Sequence, residues 1–207
     1  MDKPAPVDYP VAGPIRERWS PRAFGARSLT PREWRSLFEA ARWAPSCFND
    51  QPWHFLVARR EEPAEFAKML ECLVPRNREW AREAAALLLA VARLRFRHKD
   101  SPNRHALYDT GQAVALLSIQ ATTLGIRVHQ MAGFSAQKAR EVYGIPEDHE
   151  PVTAIALGYP GDPDDLPEGF RAAELAERTR RPQTEFVFAG KWGDVFADGE
   201  ANETRDP

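Results

Sequence analysis

After Thr30 the chain turns apolar every three to four residues, at Trp34, Leu37, Phe38 and Ala41, which puts these side chains on one face of a helix. Thr30 and Glu33 have the spacing of a capping box, Pro31 suits the first helical position and Pro45 stops the helix. The pattern then shortens to a compact apolar run at 53–58, read as a strand, followed by a helix over 62–73 after Pro63. Residues 84–92 are apolar at every position and read as a central strand covered on both faces. Periodicity alone leaves a buried helix open there. From about His105 a long helix runs to a stop at Gly125, and a short strand follows at 126–131. Ser135 caps a helix ending near Gly144, and 152–159 is the last clear strand. A short helix at 171–177 and a short strand at 185–188 complete the reading. Strands alternating with helices predict, on pattern alone, a parallel α/β sheet.

The polar interruptions carry the candidate chemistry. After a loose lead-in at 7–14, Arg16, Arg18, Ser20 and Arg22 form a local basic patch within 15–24, and arginine forks with a serine hydroxyl suit phosphate oxygens. The stretch 44–55 is bracketed by Pro45 and Pro52 and holds Ser46, Asn49 and Gln51, which donate and accept without charge. A second basic cluster spans 178–182. Taken alone, each also reads as an ordinary solvated turn or a loop bonded to its own backbone.

Composition narrows the classes. A chain of 207 residues with net charge −2 suits one large domain or two small ones, and argues against an obligate nucleic-acid binder. Cys47 and Cys72 form no metal or redox spacing, and the five histidines lack the spacing of a helical metal site, so no metal is expected. The polar, proline-containing start is unlike a secretory signal, and the apolar run at 84–92 is too short to span a bilayer, so a cytoplasmic protein without membrane contact is expected. The acidic end at 194–207 is expected to fray. There is no glycine-rich dinucleotide fingerprint, phosphate loop or nucleophile elbow. What remains fits a protein in which a cofactor supplies the chemistry.

At this point four motifs stand in order: Arg18-Trp19-Ser20-Pro21-Arg22-Ala23-Phe24, the loop from Ala44 to Trp53, Met131-Ala132-Gly133-Phe134, and Arg178 to Pro182. With them the chain resembles the FMN-dependent nitroreductase-like flavoproteins from about Ile15 to Gly193. The resemblance implies an α+β fold, a mixed β-sheet flanked by helices, with the C-terminal segment exchanged in a homodimer and FMN at the interface. Residues 1–14 would be a lead-in, 15–193 the FMN domain and 194–207 a tail.

By the same resemblance Arg18, Ser20 and Arg22, with Arg178 and Arg180, hold the FMN phosphate. Pro45, Ser46 and Asn49 of the other subunit lie along the flavin and Gln51 supports their loop. Trp19, Cys47 and Met131, within these motifs, count among the cofactor-binding residues, Asn77 bonds the pyrimidine edge, and Ala132 and Gly133 place backbone N–H groups near flavin N5. Gly133 fits because a residue without Cβ permits close approach. The implied activity is ping-pong hydride transfer from NADH or NADPH through N5 to a small acceptor such as a nitroaromatic or quinone. Enoyl or aldehyde reduction, dehalogenation, ring oxidation and flavin binding without turnover are the alternatives. Two positions depart from the pattern: Trp19 replaces a second basic residue, and Trp80 stands where some relatives carry a lysine near flavin N1, with Arg76 or Arg78 as substitutes.

Overall fold

The computed structural model describes residues 2–197. The chain divides into two compact units, Met1–Ala176 and Glu177–Pro207. The boundary falls inside the stretch 15–193 expected to form one domain.

The first unit holds α1 (Gly13–Glu17), α2 (Pro31–Arg42), β1 (Trp53–Arg59), α3 (Pro63–Cys72), α4 (Pro75–Ala81), β2 (Ala86–Arg93), α5 (Ala106–Thr123), β3 (Arg127–Met131), α6 (Ala136–Tyr143), β4 (His149–Gly158) and α7 (Arg171–Leu175). The capping box is formed in full: Glu33 N–H donates to Thr30 Oγ1 and the Glu33 carboxylate accepts the Thr30 N–H. Ser135 Oγ accepts from Lys138 N–H at 3.1 Å, and Gly144 ends α6 in the left-handed region at φ 60°. One short helix, α1, spans the end of the stretch read as a loose lead-in and the start of the basic patch.

The four strands are ordered β1-β2-β4-β3, and every pairing is antiparallel. The parallel sheet predicted from pattern alone is therefore corrected, whereas the α+β architecture implied by the resemblance is what forms. The error has a physical origin. Apolar runs report that both sheet faces are covered by helices, and that covering is blind to strand direction.

Burial along β2 settles the helix-or-strand question. Leu87, Leu89 and Val91 join one core with Met69, Trp80 and Ala156, while Ala86, Leu88 and Ala90 join the other with Leu37, Leu117 and Ile155. Alternate residues feed opposite faces, as a strand requires.

Among the described residues of the second unit, Phe188 and Val195 form an antiparallel bridge. Residues 183–185 form a 3₁₀ turn, so the strand predicted at 185–188 reduces to that bridge. Of the expected tail, 198–207 lies outside the described residues.

Candidate functional site

The basic arm from Arg18 to Ala23 is built by alternation. Trp19, Pro21 and Ala23 are buried, whereas Arg18 and Arg22 are half-buried and Ser20 is exposed. Burial thus alternates along the arm, leaving Arg18, Ser20 and Arg22 as its less buried positions. Trp19, 7% exposed with Lys3 Nζ 5.0 Å over its ring, lies on the inward side.

The arm's main chain is held from behind. His129 Nδ1 donates to the Pro21 carbonyl at 2.8 Å, and the carboxylate of buried Glu174 accepts the N–H groups of Arg22 and Ala23. Further along, Gly25 N–H donates to Tyr159 O at 2.9 Å and Gly161 N–H to Ala23 O at 3.0 Å.

The arm reaches a second candidate group through α4. The Arg22 guanidinium lies 5.9 Å from the Trp80 ring centroid, and Asn77, on the same short helix, donates from Nδ2 to Gly133 O at 3.0 Å. A Cβ on Gly133 would sit 2.6 Å from Asn77 Nδ2 and 2.9 Å from Val74 Cγ2, so this position takes no side chain. Met131 is buried at the end of β3 and accepts from Thr153 Oγ1, and Ala132 is exposed. Trp80 is 1% exposed, and its ring lies between Phe24 and His129. Arg78 spends its guanidinium on the carbonyls of Leu73 and Glu71, and Arg76 lies over Phe170.

The loop after α2 is anchored elsewhere, on α5 and on the segment following β2. Cys47 N–H donates to Asp109 Oδ2 at 3.0 Å, and Arg97 N–H donates to Asp50 Oδ1 at 2.8 Å. Ser46 Oγ accepts from Gln51 N–H, and Gln51 Nε2 donates to both Asn49 O and Asn49 Oδ1. These bonds hold Phe48, Asn49 and Gln51 at φ 52°, 55° and 50°. For residues with a Cβ this region is uncommon, and such strain persists only where the surroundings fix it. Pro45 and Phe48 stand exposed at the rim. Arg178 and Arg180 belong to the second unit, where Arg178 is half-buried and Arg180 is exposed.

Asp50, Asp109, His129 and Glu174 were not among the residues the sequence singled out. No local signal marks them, because the partners of Asp109, His129 and Glu174 lie 62 to 152 positions away.

Burial lowers the His129 pKa to about 4, and the Arg22 charge adds to the effect. The unfolded chain, with histidine near 6.5, then binds the extra proton between about pH 4 and 6.5. The stabilisation from a neutral His129 is complete above that window and is lost as pH falls through it. At 1.36 kcal/mol per unit the loss is about 3 kcal/mol. Urea unfolding from pH 7 to 4 is expected to show this loss in the wild type. In His129→Asn, which keeps a donor for Pro21, the pH slope should be shallower by that amount; equal slopes would refute a buried neutral imidazole.

Four likenesses, to a family, two sequence relatives and a solved structure, bear on this geometry. The sequence model of the nitroreductase family matches residues 15–159, ending before Arg178 and Arg180. An uncharacterised 15.4 kDa protein of Mycolicibacterium smegmatis is 30% identical over 145 residues, which cover 67% of this chain and 97% of that protein. A protein of Archaeoglobus fulgidus provisionally named NADH dehydrogenase/NAD(P)H nitroreductase is 29% identical over 158 residues, covering 74% of this chain and 87% of its own. Among solved structures, an oxidoreductase containing FMN superposes with a TM-score of 0.86 at 29% identity over 92% of this chain and 96% of that one.

Proposed function

The chain belongs to the nitroreductase family, and on that premise we propose that it is an FMN-dependent NAD(P)H oxidoreductase acting on a small acceptor of the nitroaromatic or quinone class. The observation that carries the reading is the arm from Arg18 to Ala23, in which Arg18, Ser20 and Arg22 are the less buried positions between buried Trp19, Pro21 and Ala23. Two guanidinium forks and a hydroxyl on one arm are a donor set for a phosphate dianion. The buried residues and the bonds from His129 and Glu174 fix that arm before any ligand arrives, which lowers the cost of ordering it on binding.

The rest of the first unit is compatible with a flavin. Asn77 keeps its carbonyl oxygen and a second N–H for a planar amide edge after its bond to Gly133. The missing Cβ of Gly133 leaves room for the Asn77 and Val74 side chains, so Asn77 can reach the Gly133 carbonyl. When bound, FMN would supply the redox chemistry, taking a hydride from the nicotinamide and passing it on. The protein's residues bind, orient and shield. Trp80 brings no charge to the site, so any cation favouring the reduced flavin comes from another residue.

The reading includes a homodimer with an exchanged C-terminal segment, in which the partner's Pro45, Ser46 and Asn49 border the flavin and Arg178 and Arg180 join the phosphate. Apolar groups left exposed support it: Leu107, Tyr108 and Leu116 on α5, and Phe186, Trp192 and Phe196 in the second unit. Side chains of this size are normally covered when they cluster.

The test is the visible spectrum of the purified protein, identification of the released flavin, and anaerobic addition of NADPH or NADH. A yellow protein that releases FMN and bleaches with either donor agrees with the reading. A colourless protein that takes up no added FMN ends it.

A further inference from the structure

We infer that Glu174 is a positioning residue for the phosphate-binding arm and sets the preference for a phosphorylated flavin over the same flavin without its phosphate; the inference rests on the FMN reading above. Glu174 is 1% exposed, and a carboxylate is rarely buried so completely without dedicated partners. Its partners are main-chain donors. Arg22 N–H lies 2.9 Å from each carboxylate oxygen, and Ala23 N–H lies 3.1 Å from Oε1.

The carboxylate therefore grips the arm at the residue that bears one of the two arginine forks, without touching that fork through any of these bonds. The grip is itself fixed. Phe170, the residue before α7, is 5% exposed in the core, and Lys3 Nζ donates to the Glu174 carbonyl at 2.7 Å. On the other side of the same short stretch, His129 holds the Pro21 carbonyl. These two anchors thus hold the main chain from Pro21 to Ala23, the stretch from which the Arg22 side chain departs.

Removing the carboxylate leaves the N–H groups of Arg22 and Ala23 without these acceptors, and the arm turns to find others. The flavin ring would contact other residues, so ring binding should be spared while phosphate binding is not. Loss of general packing would weaken both.

The experiment compares FMN and riboflavin affinity of the apoprotein, by flavin fluorescence quenching, for wild type, Glu174→Ala and Glu174→Gln. Glu174→Ala is expected to lose about 10- to 100-fold in FMN affinity, the scale of a broken anchor behind a charged contact, with riboflavin affinity changed less than about 3-fold. Glu174→Gln keeps an oxygen where Oε1 accepts both N–H groups but sets an amide donor where Oε2 faces Arg22 N–H, so it should fall between, with a drop of about 3- to 10-fold in the FMN-to-riboflavin ratio. If Glu174→Ala fails to fold, a drop of about 3- to 10-fold in the Gln variant's FMN-to-riboflavin ratio carries the same information. Parallel loss for both ligands, or no loss for either, overturns the inference. A wild type that prefers FMN while the variants keep that preference sinks the role of Glu174 alone; a wild type that binds neither flavin sinks the FMN reading and this inference with it.

Discussion

Replacing Arg18 and Arg22 together by alanine is expected to weaken FMN binding by two to four orders of magnitude and to leave riboflavin binding nearly unchanged. Each arginine offers charge-assisted bonds worth about 1.5–3 kcal/mol against a phosphate, and about 1.4 kcal/mol corresponds to a factor of ten. The fold should survive, because Arg18 and Arg22 are only half-buried while Trp19, Pro21 and Ala23 fill the core side of the arm. Arg22 does lie over Trp80, and losing that contact costs on the order of 0.5–1 kcal/mol, which a melting curve will register separately. Equilibrium titration of the apoprotein reads the effect directly. The paired change Arg178→Ala and Arg180→Ala tests the second unit by itself: unchanged FMN affinity there confines phosphate recognition to the arm. An arm variant that binds FMN as tightly as wild type removes the basis of the functional proposal.

How far the arm could be read in advance depends on the range of the forces that shape it. The Thr30–Glu33 box is local and was legible in full, and the uniform apolar run at β2 announced two covered faces. Strand direction was not legible, since antiparallel neighbours bury the same residues that parallel ones would. The helix α1 has only five residues, two of them Gly13 and Pro14, and offers no periodicity to detect. In the arm itself the period-two alternation is present in the letters, yet the charges dominate them and suggest a solvated turn. The structure shows what fixes that alternation, and its fixed points are remote: Glu174 acts across 152 positions and His129 across 108.

The candidate site therefore depends on the core more than its polar inventory suggests. Asn77 and Trp80 share α4, one turn apart, so the group that holds the Gly133 segment and the ring beneath Arg22 move together. Seating α4 requires Trp80 to be seated.

Trp80→Ala is accordingly expected to cost about 3–5 kcal/mol of stability, the usual range for deleting a buried indole. The ring is 1% exposed, lies 6.3 Å from Phe24 at an interplanar angle of 24° and 4.6 Å from His129, and packs in the core with Met69 and Leu87. For a chain of this size the melting temperature should fall on the order of 10 °C. A loss below about 1 kcal/mol would show that the cavity collapses or that the ring is dispensable. Trp80→Phe should retain most of the stability, because an aromatic ring can still meet Phe24. Trp80→Lys, which adds a charge at this position, separates two accounts of it. If the side chain is enclosed, as its burial indicates, an ammonium there lacks solvent and the variant should be less stable than Trp80→Ala. If Trp80→Lys instead matches the wild type in stability and alters the flavin's reduction potential, the position opens onto the cofactor, and the indole has closed a route that a charge could use.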